Sequence, residues 1–428
     1  MLYISRVQIR NVRCFDHLDI TLGTPGSEPG WTVIVGDNAT GKSTLLRSVA
    51  MGLCDEASAA GLLKESDEGY IRRGATSASI QIWLYDSRSV DKQLRITTRV
   101  IREEKRRGIF ADRVRQTTSP RNDFPWDELF VSGYGAGRGV TGTGDVSAYS
   151  AIDAVYNMFN YSEGLQNPEL VIRRLMQQEP GADIVERQIF QILCKATGAN
   201  DIRLTSNGIR VDGPWGQGMP LRDLADGYKS ALLWITDLVG WALTFQPRRK
   251  STEGIRGIVI LDEIEQHLHA RWQRTVIDDL RQLLPNVQFL ATTHSPLIAS
   301  TVGPRVDSTG ADTLYVLEAR QDDHVAVTSH EFMRGWRMDQ VLASRAFKYQ
   351  IQTDPEVERI LRRGSELAAK SNRTSKEEAS YQKIKQLLQG TFYASTSSIG
   401  WDVEVETTEK LRSEIRQLEK HLFASDES

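Results

Sequence analysis

The chain has 428 residues, 40% of them hydrophobic and 25% charged, with a net charge of −3. That length and balance describe a soluble globular protein with a large core and two or three lobes, and exclude a disordered, fibrous or membrane-spanning chain. A charge so near neutral excludes nucleic-acid binding driven by the whole protein and leaves room only for a local basic patch.

The N-terminus, Met1-Leu-Tyr-Ile-Ser-Arg-Val-Gln-Ile9, alternates apolar and polar residues as a strand does, unlike a signal peptide. Trp31-Thr-Val-Ile-Val35 is an apolar strand that runs into Gly36-Asp37-Asn38-Ala39-Thr40-Gly41-Lys42-Ser43-Thr44, and Leu45, Leu46 and Val49 then form a helical face. Strand, glycine-rich turn and helix make a phosphate loop. Its glycines let backbone N–H groups close around an anion, Lys42 reaches the β- and γ-phosphates, and the Ser43 hydroxyl is placed to ligate Mg²⁺. The nucleotide expected here is ATP. Three cysteines, Cys14, Cys54 and Cys194, show neither disulfide parity nor Cys-x-x-Cys spacing, so the expected compartment is a reducing cytoplasm.

Next comes the strongest basic run, Arg99 to Arg121, which reads either as a solvated hairpin partly neutralised by Glu103 and Glu104 or as a contact for DNA or RNA phosphates. Leu129 to Arg138 is strand-like and ends in Tyr134-Gly-Ala-Gly-Arg138, where Arg138 either faces the phosphates or leaves a turn. A glycine- and serine-rich stretch from Val140 follows, then helical segments. Leu224-Ala-Asp226-Gly227-Tyr-Lys229-Ser230 precedes an apolar helix, Ala231 to Phe245, which carries Asp237 in its middle. Gly257-Ile-Val-Ile-Leu-Asp262-Glu263 is an apolar strand ending in two acids, the form of a Walker B segment. Asp262 would hold Mg²⁺ and Glu263 would orient or deprotonate the attacking water. His267 and His269 follow, with no third metal ligand in view, and another apolar run, from Val287, leads to His294. The segments 354–372, 375–392 and 407–423 have helical periodicity with mixed charges.

The order of phosphate loop, acid pair, and strand plus histidine resembles the ATP-binding-cassette (ABC) ATPases. That resemblance implies a γ-phosphate contact for His294. It likewise implies a signature role for Leu224, Asp226, Gly227 and Lys229 toward the ATP of an opposite subunit, although Ala225 stands where the family usually has serine. Leu224 and Asp262 are 38 positions apart, a spacing that argues against a transporter subunit. The opening Asn11-Val-Arg13-Cys-Phe15 resembles the RecF, OLD (overcoming lysogenization defect) and SMC-type group, in which the arginine lies near the nucleotide; Arg13 has this role or is a solvated strand-end residue. Leu261-Asp-Glu-Ile-Glu265-Gln-His-Leu-His-Ala-Arg-Trp-Gln273, the Tyr134 to Arg138 element, and Gly335 to Phe347 are similar to small OLD-like ATPases such as those of Septu PtuA and retron systems.

The expected fold is therefore α/β, an ABC-type P-loop head with a mixed or parallel sheet flanked by helices and an antiparallel edge subdomain. Residues 1–140 would form the lobe with the phosphate loop, 141–220 a helical insertion, 221–345 the core with signature-like loop, Walker B and His294, and 346–428 a helical C-terminal region. No long heptad insertion and no Toprim-like acidic cluster is visible, which places any nuclease in a separate chain. The resemblance implies an ATPase that forms a homodimer or higher homo-oligomer and controls such an effector in anti-phage defence, with no membrane partner. The other readings are a RecF-like DNA-binding repair ATPase and a nucleotide-sensing scaffold with little turnover.

Overall fold

Alternation explains why three apolar runs form the centre of this protein. In the strands β3 (Trp31–Gly36), β11 (Gly257–Leu261) and β12 (Val287–Thr293) every second side chain points to the same side. Val33, Val35, Val259, Leu261, Phe289 and Ala291 join one core cluster. Ile34, Ile258, Ile260 and Leu290 join the other. A sheet buried on both faces needs apolar residues at every position, so these strands read as continuous runs rather than alternating ones.

The computed structural model describes residues 1–23, 29–66, 69–86, 89–106, 109–139, 141–142, 148–178, 182–249, 251–303, 312–320, 325–330, 332–347, 363–364, 366–367, 370 and 373–393. Two compact units are present, residues 1–348 and 349–428.

In the first unit a six-stranded sheet has the order β14-β13-β3-β12-β11-β7, adding β7 (Val131–Tyr134), β13 (Thr313–Ala319) and β14 (Val325–His330). All its pairings are parallel except the β13–β14 hairpin at one edge. Helix α1 (Lys42–Leu53) packs on one face, against a five-stranded antiparallel sheet of order β2-β1-β4-β5-β6. Its strands are β1 (Leu2–Val12), β2 (Phe15–Thr21), β4 (Ser77–Asp86), β5 (Ser89–Arg106) and β6 (Ile109–Ser119), with α2 (Glu56–Glu65) alongside β6. This is the expected antiparallel edge subdomain.

The opposite face of the parallel sheet is covered by α6 (Asp226–Phe245), with α4 (Pro168–Gln178), α5 (Ala182–Thr197) and α8 (Val276–Leu283). From Ser230 to Leu243 every residue of α6 is buried, which is why its sequence lacks a polar stripe. Asp237 is 2% exposed within it, and its carboxylate accepts from the Tyr134 hydroxyl at 2.7 Å and the Gln166 N–H at 2.9 Å.

Residues 201–220 depart from the expected helical insertion. After α3 (Ala151–Tyr156), α4 and α5 they form a three-stranded antiparallel sheet of β8 (Asp201–Thr205), β9 (Gly208–Gly213) and β10 (Gly216–Pro220), in the order β10-β9-β8. Ile202, Ile209 and Val211 are buried while their neighbours face outward, a period of two that the short, glycine-punctuated strands obscure. Of the glycine- and serine-rich stretch, residues 140 and 143–147 lie outside the described residues.

In the second unit the expected helix at 375–392 is α11 (Ser375–Tyr393). Gly364 packs on Ile384, and Arg373 pairs with Glu378 at 2.7 Å while lying over the Tyr381 ring. Most of the 354–372 segment and all of the 407–423 segment lie outside the described residues.

Candidate functional site

Parallel strands in the order β3-β12-β11 put the C-terminal ends of three runs side by side, although the runs are far apart in sequence. Gly36 ends β3, Thr293 ends β12 with His294 next after it, and Asp262 and Glu263 follow β11. The carboxyl ends of strands in open α/β sheets form the usual ligand crevice.

The phosphate loop closes as its sequence requires. A Cβ on Gly36 would lie 2.6 Å from the Leu317 carbonyl oxygen, and one on Gly41, at φ +88°, would run into Cys14 Sγ and the Phe15 ring. The Asn11 to Phe15 turn thus props the loop from below. Ala39 adopts φ +64°, a left-handed turn that costs a non-glycine residue about 1 kcal/mol. Thr40 donates its hydroxyl to the Asp37 carbonyl at 2.8 Å. Lys42 Nζ donates to the carbonyls of Gly36 and Asp37, both at 2.8 Å. Burial pushes the Lys42 ammonium below its ordinary pKa, and the nearby charges of Asp262, Glu263, Glu265 and Asp37 pull it back up. Ser43 and Thr44 follow Lys42 in the first turn of α1.

Two threonines absent from the sequence argument organise the acid pair. Thr292 donates its hydroxyl to Asp262 Oδ1 at 2.6 Å and accepts the Glu263 N–H at 2.8 Å. Thr293 donates to Glu265 Oε2 at 2.7 Å, and the other oxygen of Glu265 accepts the His294 N–H at 2.6 Å. Glu265 therefore ties the loop after β11 to the residue that follows β12. The signal was present in the sequence, since two hydroxyls close an otherwise apolar strand and a third acid follows the pair at Glu265.

Arg138 adopts neither of the two roles open to it in the sequence. It is 1% exposed, and its guanidinium donates to the carbonyls of Asp262 at 2.6 Å, Glu263 at 2.8 Å, Ile264 at 3.1 Å and Gly135 at 3.2 Å. Glu263 itself has φ +47°, a conformation that unsupported backbone seldom holds. Desolvation lowers the Arg138 pKa to about 10, against the pull of Glu265, Asp262 and Glu263. The Asp262 N–H completes this brace by donating to the Tyr134 carbonyl at 2.8 Å.

Among the signature-like residues, Leu224 is buried in the core and Ala225 caps α6 with no side-chain hydrogen bond. The Asp226 side chain is 88% exposed and lies 3.6 Å from Lys229. Gly227 meets a need within the chain, because a Cβ there would sit 2.5 Å from the His267 carbonyl oxygen. Tyr228 stacks on Trp215, with ring centroids 4.8 Å apart. Arg13 has φ +45°, its N–H donates to the Tyr70 carbonyl at 3.1 Å, and its own carbonyl accepts from Arg72 at 3.2 Å. His269 caps α7 (Ala270–Gln273) by accepting the Arg271 N–H on Nδ1 at 3.2 Å. Among the described residues no group of three or more His, Cys, Asp or Glu side chains is placed to hold a metal ion by itself.

Residues 31–300, which hold the phosphate loop, the acid pair and His294, match the family described as "AAA domain, putative AbiEii toxin, Type IV TA system". The chain belongs to this family. Among similar proteins, the Septu protein PtuA of Bacillus mycoides (strain KBAB4) is 24% identical over 301 residues, covering 69% of this chain and 38% of that protein. The "Retron Vc95 probable ATPase" of Vibrio cholerae serotype O1 biovar El Tor is 28% identical over 143 residues, covering 33% of this chain and 26% of that protein. The chain thus spans well under half the length of either relative. Among solved structures, the Smc head domain with an extended coiled coil from Pyrococcus furiosus, bound to the C-terminal domain of ScpA, aligns with a TM-score of 0.51 at 14% identity. That alignment covers 80% of this chain and 100% of the other. The fold is that of the Smc head domain, and the resemblance to Septu and retron ATPases seen in the sequence is matched by these relatives. No helix among the described residues is long and apolar enough to cross a membrane.

Proposed function

We propose that the chain binds and hydrolyses ATP with Mg²⁺ and, as a nucleotide-dependent homodimer or higher homo-oligomer, controls a separate effector, a nuclease, in an anti-phage defence complex. The observation that carries the chemical part is the convergence of Lys42, Asp262, Glu263 and His294 on neighbouring strand ends, with Thr292 and Glu265 holding the last three in register. The likeness to Septu PtuA and to a retron ATPase supports the defence role.

Each residue then has a task. Backbone N–H groups of Gly36 to Thr44 bind the phosphates, and Lys42 exchanges its two loop carbonyls for β- and γ-phosphate oxygens. The donors fit a hard, oxygen-seeking cation, with the Ser43 hydroxyl and the Asp262 carboxylate as protein ligands and phosphate oxygens as the others. Bound there, Mg²⁺ would neutralise charge on the phosphates. Glu263 orients the attacking water and takes its proton, His294 contacts the γ-phosphate, and Arg13 lies beside the nucleotide. Leu224 and the first turn of α6, with Asp226, Gly227 and Lys229, are offered to the ATP of a second copy.

Phosphate release by the purified chain tests the chemistry. Wild type turns over ATP, Glu263→Gln slows turnover about a hundredfold or more while keeping nucleotide binding, and Lys42→Ala loses binding. Unchanged turnover in Glu263→Gln would remove Glu263 from the mechanism.

A further inference from the structure

The five-stranded antiparallel sheet sorts its side chains onto two faces. Inward, Val7, Ile9, Ile82, Ile96 and Val114 are buried in the core that includes α1. Outward, β1 presents Arg6 and Arg10, β5 presents Arg95 and Arg99, and β6 presents Arg113 and Arg115, all exposed. The basic run at 99–121 is therefore not the patch itself. Arg102 of that run lies on the other face of β5, where it is exposed and pairs with Asp112 at 3.0 Å, while two arginines from the N-terminal strand join the outward set.

The register brings these arginines into rows. Arg10 lies opposite Ser79, Ser79 opposite Arg99, and Arg99 opposite Arg115. Two rows along, Arg6 lies opposite Trp83, Trp83 opposite Arg95, and Arg95 opposite Ser119. Among the described residues two carboxylates pair with arginines of the face, Asp19 with Arg6, and Glu103, lying 3.6 Å from Arg113. Among the described residues the guanidinium groups of Arg10, Arg95, Arg99 and Arg115 have no hydrogen-bond or carboxylate partner. Gln8, Ser79, Gln81, Thr97 and Thr117 fill the positions between them with uncharged hydrogen-bonding groups.

The unpaired arginines of this face do not stabilise one another. Like charges directly opposite each other on an antiparallel pair are destabilising, and Arg99 and Arg115 are such a pair. A polyanion relieves the repulsion and releases its own counterions. The row from Arg10 to Arg115 crosses three strand gaps, about 14 Å at the usual spacing, enough to meet phosphates on both sides of a duplex groove about 12 Å wide. Single strands are bound by exposed aromatic platforms. The one Trp, Tyr or Phe at the outward positions of these rows is Trp83, and Arg6 lies over its ring at 4.9 Å.

We propose that this outward sheet face binds the phosphate backbone of duplex nucleic acid without sequence preference. The proposal rests on the sheet face alone, independently of ATP turnover. The test is fluorescence anisotropy of a short labelled mixed-sequence duplex DNA with the full chain across a salt series. Wild type should bind, with log affinity falling linearly with log salt. The triple variant Arg10→Gln/Arg99→Gln/Arg115→Gln should bind about tenfold or more weaker at low salt, with a slope shallower by about 2 to 3. The control Arg248→Gln/Arg249→Gln/Arg274→Gln removes the same charge elsewhere and should match wild type. A thermal melt checks folding; if the triple variant folds poorly, Arg115→Gln alone on the edge strand should reduce the slope by about 1. The proposal is overturned if wild type ignores duplex at low salt, if the sheet-face variants bind as wild type does, or if both triple variants weaken equally. Preference for anionic lipid vesicles over duplex would likewise overturn it.

Discussion

A carboxylate with both oxygens committed to fixed donors acts as a strut, and Glu265 is held in this way between the Thr293 hydroxyl and the His294 N–H. Glutamine in its place keeps the shape but offers one acceptor oxygen, so the bond to His294 or the one to Thr293 must weaken. Hydrogen bonds to charged groups contribute about 1.5 to 3 kcal/mol, so Glu265→Gln should lower kcat about tenfold or more. KM for ATP should stay within about twofold, because the residue acts through His294 and not on the bound ground state. Steady-state kinetics of the variant decide the point. A raised KM with unchanged kcat would move Glu265 into nucleotide binding instead. Arg138 illustrates the same principle with opposite charge. Its guanidinium is spent on main-chain carbonyls, so its value lies in the fork geometry that lysine lacks.

At the scale of one element, α6 carries a titratable group through the middle of the core. Burial raises the Asp237 pKa to about 6 from its ordinary 3.8, against the hydrogen bonds from Tyr134 and the Gln166 main chain. A raised carboxylate pKa means that the folded state holds the proton more tightly than the unfolded state. Stability from this group is thus full below the ordinary pKa and is lost as pH rises from about 4 to about 6, by up to about 3 kcal/mol. Denaturant unfolding should show that decline in wild type and a flatter profile in Asp237→Asn over the same window. Equal slopes in the two proteins would place the proton elsewhere. Elements of this kind were unevenly legible in the sequence. The phosphate loop and the parallel strands stand out because burial on both faces leaves no polar position. The β8–β10 sheet was hidden because five- or six-residue strands broken by glycines carry only three buried apolar side chains among them, Ile202, Ile209 and Val211. The pairing of Glu265 with His294, and Gly227 against His267, depend on contacts between loops whose spacing in sequence says nothing about distance.

Across the whole molecule, strand order converts sequence separation into proximity, and the same logic determines what faces outward. Lys42 and Asp262 are 220 positions apart, yet the strands that lead to them, β3 and β11, are separated by β12 alone. The loop from Leu224 to Ser230 instead presents the exposed Asp226 and the first turn of α6, whose N–H groups have no side-chain cap. An uncapped helix start is complementary to an anion, and a second copy's ATP supplies one in the sandwich proposed above. Slowing hydrolysis should make that sandwich persist. With ATP and Mg²⁺, Glu263→Gln should run at twice the monomer mass or a higher even multiple in light scattering, and without nucleotide it should not. Adding Lys229→Glu places a negative charge at the helix start where the partner's phosphates would lie. The double variant should therefore still bind ATP but remain at the nucleotide-free mass. A double variant that assembles as well as Glu263→Gln would show that the Leu224 to Ser230 loop does not meet the nucleotide of a second copy, and that the glycine at 227 serves only the His267 contact within its own chain.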